Sequence, residues 1–186
     1  MSKTAYLSGL DRTPANHVPL SPLGFLDRSA DVYPDRVALI HGELRQTWSQ
    51  TRDRCYRLAS ALVARSVQRG DTVAIIAPNT PAMLEAHFGV PLAGAVLNAI
   101  NCRLDAEGVA FILRHGEAKV LLVDSEFAAL TARAVERLEH PPLLIDIYDS
   151  IGPGAASIGV MDYESLLASG DQIGRASCRE RVLRLV

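Results

Sequence analysis

Chemistry in this 186-residue chain has few candidate carriers, and Arg103 is the first of them. It follows the strand-like run Val96 to Asn101 and precedes Asp105, so it falls between the end of a strand and the start of a helix. A planar guanidinium there can hold a phosphate by its paired N–H donors. The spacing alone favours plainer roles, a solvent-exposed loop arginine or a local pair with Asp105. The turn Ala77-Pro78-Asn79-Thr80-Pro81 is the second carrier. It lies after an apolar strand and before a helix N-terminus, the edge at which open α/β sheets take ligands. Locally, a helix cap and a rigid turn account for it as well.

The remaining reactive residues read as framework. His87 sits in a helix otherwise built for packing, and a satisfied core or interface role fits it better than catalysis. His17, His41, His115 and His140 have no Ser, Cys or carboxylate arranged around them in sequence, so no triad can be assembled. Cys55 and Cys102 have the look of small core residues. With Cys178 the cysteines are widely spaced, without CxxC or paired-histidine spacing, which supports neither a disulfide framework nor a zinc site. No GxGxxG or GxxxxGK[ST] string occurs. Gly152, Gly154 and Gly159 do not lead from a strand into a helix and read as a surface loop.

The elements that must position these residues alternate. Leu23 to Tyr33 reads as a helix with Phe25, Leu26 and Ala30 on one face, stopped by Pro34. Val37 to His41 and Leu44 to Thr47 form a hairpin around Gly42-Glu43. Trp48, Thr51, Cys55, Leu58 and Leu62 recur at helical spacing, with Arg52, Asp53, Arg54 and Arg57 on the other faces. Thr72 to Ala77 is a continuous apolar strand, buried on both faces as in a parallel sheet. Asn79 or Thr80 caps the next helix, Pro81 opens it, and Leu84, Phe88 and Leu92 form its buried face, with Pro91 near its end. Ala95 to Ile100 is the next strand. Asp105 caps the helix after it, with a Leu104–Val109 staple and Gly116 at its C′ position. Lys119 to Val123 is a third strand. A helix from Asp124-Ser125 follows, carrying Phe127, Leu130, Ala134 and Leu138 on one face, then Leu143 to Ile147 as a fourth strand. Tyr163, Leu166 and Leu167 suggest a last short helix. Strands alternating with helices predict an α/β fold, a largely parallel sheet flanked by helices with right-handed crossovers.

Composition bounds the partners. A hydrophobic content of 48% supplies a real core, and a net charge of −2 with scattered arginines argues against nucleic acid. No run approaches the ~20 apolar residues of a membrane span, and the N-terminus lacks an apolar signal region. The expectation is a soluble, cytoplasmic protein.

Several pieces in fixed order carry a resemblance. They are Gly70-Asp71-Thr72-Val73-Ala74, Pro78-Asn79, Gly94-Ala95-Val96, Asn101-Cys102-Arg103-Leu104 and Ala118-Lys119-Val120-Leu121. Upstream, Tyr33-Pro34-Asp35-Arg36-Val37-Ala38 and Gln46-Thr47-Trp48 belong with them. Together they resemble the N-terminal part of the AMP-forming acyl-CoA synthetases, the acyl-adenylate superfamily. The wording is most similar to the branch acting on medium-chain or methylmercaptopropionate-like acids and its plant acyl-activating relatives. The resemblance implies the N-terminal part of an acyl-adenylating large domain, running from about residue 19 to 171. An irregular arm, 1–18, precedes it and a non-family tail, 172–186, follows.

That family joins a small carboxylic acid to coenzyme A. The acid attacks the α-phosphate of Mg-ATP, and the CoA thiol then displaces AMP. The resemblance therefore implies ATP, Mg2+ and CoA as the cofactors of the parent enzyme, and a homodimer is one form open to the full-length protein. Arg103 is the one residue carried over, as a CoA-phosphate contact. The family's TSGTTGxPKG-like phosphate loop, its Thr-Gly-Asp segment and its C-terminal domain are absent from these residues. The expectation is a fragment that is inactive alone, binds none of these cofactors and supplies no catalytic or metal-binding residue. Alternatives are another adenylating enzyme, either an aryl-CoA ligase or a peptide-synthetase adenylation domain, and a short non-catalytic interaction module. The tail, with its GRASCRERV string, resembles translated adapter sequence, so a truncated reading frame is expected. Genomic DNA tests this: a stop codon directly after Val186 would contradict it.

Overall fold

The computed structural model describes residues 20–153 and 156–171, together with Asp11, Thr13 and His17. The expected arm 1–18 lies almost wholly outside these residues, and the expected tail 172–186 entirely outside them.

A five-stranded parallel sheet organises the molecule. Its strands are β3 (Thr72–Ile76), β4 (Val96–Ala99), β5 (Ala118–Asp124), β6 (Leu143–Ile147) and β7 (Met161–Asp162). Their order is β4-β3-β5-β6-β7, and every pairing is parallel. Strand side chains alternate between faces, and the core divides accordingly. Val73 and Ile75 of β3, Val120 and Leu122 of β5, and Ile145 of β6 join one apolar cluster. Ala74, Ile76, Leu121 and Val123 join a second on the opposite face. This is why β3 and β5 read as unbroken apolar runs.

Helices α1 (Pro22–Val32), α2 (Trp48–Ala64), α3 (Pro81–Leu92) and α6 (Tyr163–Ala168) cover the first face. Helix α4 (Ala106–His115) and α5 (Ala128–Val135), the latter entered through a 3-10 turn at Ser125–Phe127, cover the second. Right-handed crossovers require this division. The chain moves one way along the sheet from β3 to β4, and the other way from β4 to β5 and β6. The hairpin β1 (Val37–His41) and β2 (Leu44–Thr47) turns at Gly42, whose φ of +54° lies in the left-handed region. Thr47 closes it into α2 through a capping box with Gln50.

Four expectations change. Phe25 is 52% exposed, and the buried face of α1 is Leu23, Leu26 and Ala30. Leu84 and Phe88 are only half-buried, while Ala82, Glu85, Ala86, Gly89 and Val90 face inward. Helix α3 is apolar on nearly every side, so it carries no periodicity to mark the inner face. Gly116 is the C-cap of α4 with a right-handed φ of −84°, and the left-handed residue is Glu117, at φ +49°. Strand β7 was not expected. It forms because the buried Asp146 carboxylate accepts from Ser157 Oγ at 2.6 Å and Gly159 N at 2.9 Å, docking the segment beside β6. A Cβ on Gly159 would lie 2.9 Å from both Asp146 N and Leu144 O, so only glycine passes there.

Helices α2 and α3 meet at Gly89, where an added Cβ would lie 2.6 Å from Leu58 Cδ2 and 3.0 Å from Leu58 Cβ. Overpacking of that kind costs about 1–3 kcal/mol. Gly89→Ala should lower the unfolding free energy by that amount, read as a lower urea midpoint. Gly24→Ala, in a helix with nothing within 4 Å, should hold or raise it.

Candidate functional site

The carboxyl edge of the sheet gathers the candidate groups. The exit of β3, residues 77–80, leads into α3 on one face; the exit of β5 leads into α5 on the other. Neighbouring strands whose exits diverge leave a crevice between them, the usual ligand position in open parallel sheets. Asp124 ends β5 there and is 2% exposed. Its Oδ1 accepts from Glu126 N at 3.0 Å, and its Oδ2 has no partner among the described residues. Burial pushes its carboxyl pKa up, the Glu126 N–H offsets part of that, and the charges of Asp149 and Glu126 add to it. Thr80 occupies the N-cap position of α3, but its buried Oγ1 makes no cap bond and has no partner among the described residues.

Beneath the edge lies a buried polar network. Glu85, 0% exposed, accepts from Arg54 Nε at 2.6 Å, Gln46 Nε2 at 3.1 Å and Tyr163 OH at 3.0 Å. The Arg54 fork also binds Glu164, at 2.8 and 2.6 Å. Burial opposes the charge on Arg54, but its bonds to Glu164 and Glu85 outweigh that and its net shift is upward. Burial, reinforced by the Glu85 charge, raises the pKa of Tyr163 and of Cys55, so both stay protonated. The sequence placed Arg54 on an outer face; it is half-buried by this network. One signal could have exposed it: Glu85 is the single charged residue of α3.

Two concavities flank the β3 exit. One, of about 350 Å³, is lined by His41, Arg54, Thr80, Tyr148, Asp149 and Tyr163 among others. His41 Nε2 meets Asp149 Oδ1 at 2.8 Å across its mouth, a partnership between residues 108 apart that no local pattern shows. The other, of about 440 Å³, is an apolar groove between β1 and α3 that includes Leu84 and Phe88. His87 lies on this groove rather than in the core. It is exposed, and its Nδ1 donates to Met83 O at 2.8 Å. Cys55 is a core residue, whereas Cys102 is only half-buried, with its thiol donating to Ala77 O at 3.2 Å.

Arg103 stands at the same edge, just beyond β4, and is exposed. The alternative pairing with Asp105 does not form: the Asp105 carboxylate caps α4 through Gly108 N at 2.9 Å. Among the described residues the Arg103 guanidinium has no hydrogen-bond or ion-pair partner. No cluster of three or more metal-ligating side chains occurs among the described residues, and no helix there is long and apolar enough to cross a membrane.

The parallel sheet, its two helical layers and the divergent strand exits define an open α/β domain of the ligand-binding kind. The AMP-binding enzyme family matches residues 26–158, and the chain belongs to that family. Among its relatives, the peroxisomal acetate/butyrate–CoA ligase of Arabidopsis thaliana is 50% identical over 177 residues, which cover 89% of this chain and 31% of the relative. An acetate–CoA ligase of Humulus lupulus is 45% identical over the same shares. The chain thus spans about a third of the length of these relatives. An anthranilate CoA ligase solved with anthranoyl-AMP superposes with a TM-score of 0.75 at 22% identity, covering 86% of this chain and 30% of that one. It establishes the fold alone: the sheet is that of the N-terminal part of an adenylating enzyme's large domain. A fatty acyl CoA synthetase of Mycobacterium tuberculosis gives a TM-score of 0.65 at 27% identity, over 81% and 28%.

Removing one partner of a buried ion pair strands the other, at about 3–5 kcal/mol. Arg54→Ala, which leaves the fully buried Glu85 without its cation, should lose that much stability in chemical denaturation. Tyr163→Phe, which removes one hydrogen bond to the charged Glu85, should lose about 1.5–3 kcal/mol.

Proposed function

We propose that this chain forms the N-terminal part of the large domain of an ATP-dependent acyl-CoA ligase, which converts a carboxylate, ATP and CoA to acyl-CoA, AMP and pyrophosphate. The observation that carries this reading is the 50% identity to the acetate/butyrate–CoA ligase across 89% of the chain. On this reading the chain supplies framework, with the β3 exit as one wall of the reaction crevice. Arg103 is the phosphate-binding group, holding CoA by its fork. ATP, Mg2+ and CoA are the cofactors proposed for the complete enzyme, on the strength of the family match.

The acid is proposed to be short and linear, because acetate and butyrate recur in the relatives' names. That is narrower than the medium-chain branch suggested by the wording of the sequence. An aryl acid is the second reading, favoured by a benzoate–CoA ligase of Arabidopsis thaliana that is 45% identical over 84% of the chain. We keep a cytoplasmic location and a homodimeric full-length enzyme as parts of the proposal. Several relatives are named peroxisomal, so recovery of the enzyme in an organelle fraction would overturn the first. A monomer in light scattering would overturn the second.

Two measurements test the reading. The 186-residue chain should give no ATP–pyrophosphate exchange with acetate, butyrate or benzoate, and measurable exchange would refute its inactivity. In the complete ligase carrying this segment, Arg103→Ala should raise the KM for CoA on the order of tenfold, the loss of one charge-assisted hydrogen bond. An unchanged KM removes Arg103 from the CoA site.

A further inference from the structure

The loop that carries Arg103 is held at every residue, Arg103 through its backbone alone. Asn101 O accepts from Leu104 N at 3.3 Å and closes the turn. The Asn101 side chain turns back on the backbone, its Oδ1 accepting from Arg103 N at 2.9 Å. Leu104 packs into the second apolar cluster, and Asp105 caps α4. The Cys102 thiol reaches Ala77 O.

That last bond has a structural logic. Ile100 N donates to Ile75 O at 2.8 Å, continuing the parallel ladder between β4 and β3. In a parallel ladder the next donor is two residues further along each strand, which would be the N–H of residue 102 to the carbonyl of residue 77. The chain has turned away by then, and the Cys102 side chain supplies the donor in place of the backbone. Burial, and then the charge of Glu126, raises the thiol pKa, which keeps the proton that the bond requires. The two loops singled out in the sequence, 77–81 and 101–105, are thereby one unit joined through a side chain.

We propose that Asn101 and Cys102 are positioning residues for Arg103. Asn101 sets the backbone that projects the guanidinium free of internal partners. Cys102 clamps its loop to the β3 exit, so that the arginine and the crevice wall keep a fixed separation for one phosphorylated ligand spanning both. The ligand class rests on the reading of Arg103 as a CoA-phosphate contact; the positioning itself does not.

The test separates the two. Amide hydrogen exchange at Arg103, measured in the 186-residue chain, reads the positioning without a ligand. Asn101→Ala should speed it about tenfold, the loss of one ordinary hydrogen bond. Cys102→Ala should speed it about threefold, because a thiol donor is weaker. Asn101→Ser and Cys102→Ser keep an acceptor and a donor, and should restore slow exchange. In the complete ligase the alanine variants should raise the KM for CoA by similar factors with little change in kcat, and the serine variants should recover it. Unfolding midpoints of the same variants check that global stability is retained. Unchanged exchange in both alanine variants, or no rescue by serine, overturns the positioning. Faster exchange with a CoA KM insensitive to Arg103→Ala overturns the CoA reading and leaves the positioning standing.

Discussion

Glu85 is a carboxylate with no exposure at all, in a helix whose other residues are almost all apolar. A charge in that position costs several kcal/mol unless it is paired and hydrogen-bonded, so its partners are obligatory. They come from β2 (Gln46), α2 (Arg54) and the first residue of α6 (Tyr163). Arg54 continues outward to Glu164, so the buried charge is connected to the surface by one planar fork. The hairpin, α2, α3 and α6 are therefore fixed around one point, with Arg54 and Glu164 bonded across 110 residues of sequence. The walls of the cavity above, from His41 to Tyr163, inherit their spacing from this point.

The sheet constrains the other side of the edge. Alternating side chains on β3 and β5 divide the core into two clusters, and each needs its own helical cover. Crossover handedness then assigns α3 to one face and α4 and α5 to the other. Diverging exits at β3 and β5 are a consequence of that assignment rather than a separate feature. The same divergence leaves Asp124 and Thr80 with unpaired oxygens among the described residues, because neither helix start runs across the crevice to satisfy them. Framework and candidate site thus have a common geometric origin.

Where local patterns carry the physics, the sequence is legible. Asp105 before Ala106 reads as a cap and forms one; Thr72 to Ile76 reads as a doubly buried strand and is one. The ordered pieces from Gly70 to Leu121 point to the fold that the comparisons establish. Other features have no local signature. Helix α3 is apolar all round, so a step-of-four count chose Leu84 and Phe88, whereas close packing at Gly89 sets the real inner face. Strand β7 has two residues and depends on Asp146, eleven positions before Ser157. His41 and Asp149 meet only because β1 and the β6 exit converge in space. In sequence Asn101 is part of a motif and Cys102 a small apolar residue, because a side chain completing a strand ladder cannot be seen before the strands are paired.

Charge divides the carboxyl edge in a way that bears on where an anion would settle. Towards β6 and α6 the cavity carries Asp149, Asp162 and Glu164, its Arg54 guanidinium is already engaged by two carboxylates, and the His41 ring is hydrogen-bonded to Asp149. A phosphate approaching there meets compensated or negative charge and would have to displace short ion pairs. Beyond β4, Arg103 presents a guanidinium with no partner among the described residues, on a loop already ordered by Asn101, Cys102 and Asp105. Binding at that end costs neither a broken ion pair nor the ordering of a loop, two of the larger penalties against association. The spacing of Arg103 in the chain made it an ordinary loop arginine as readily as a ligand. In three dimensions the other residues of its loop are engaged, and among the described residues its guanidinium is not.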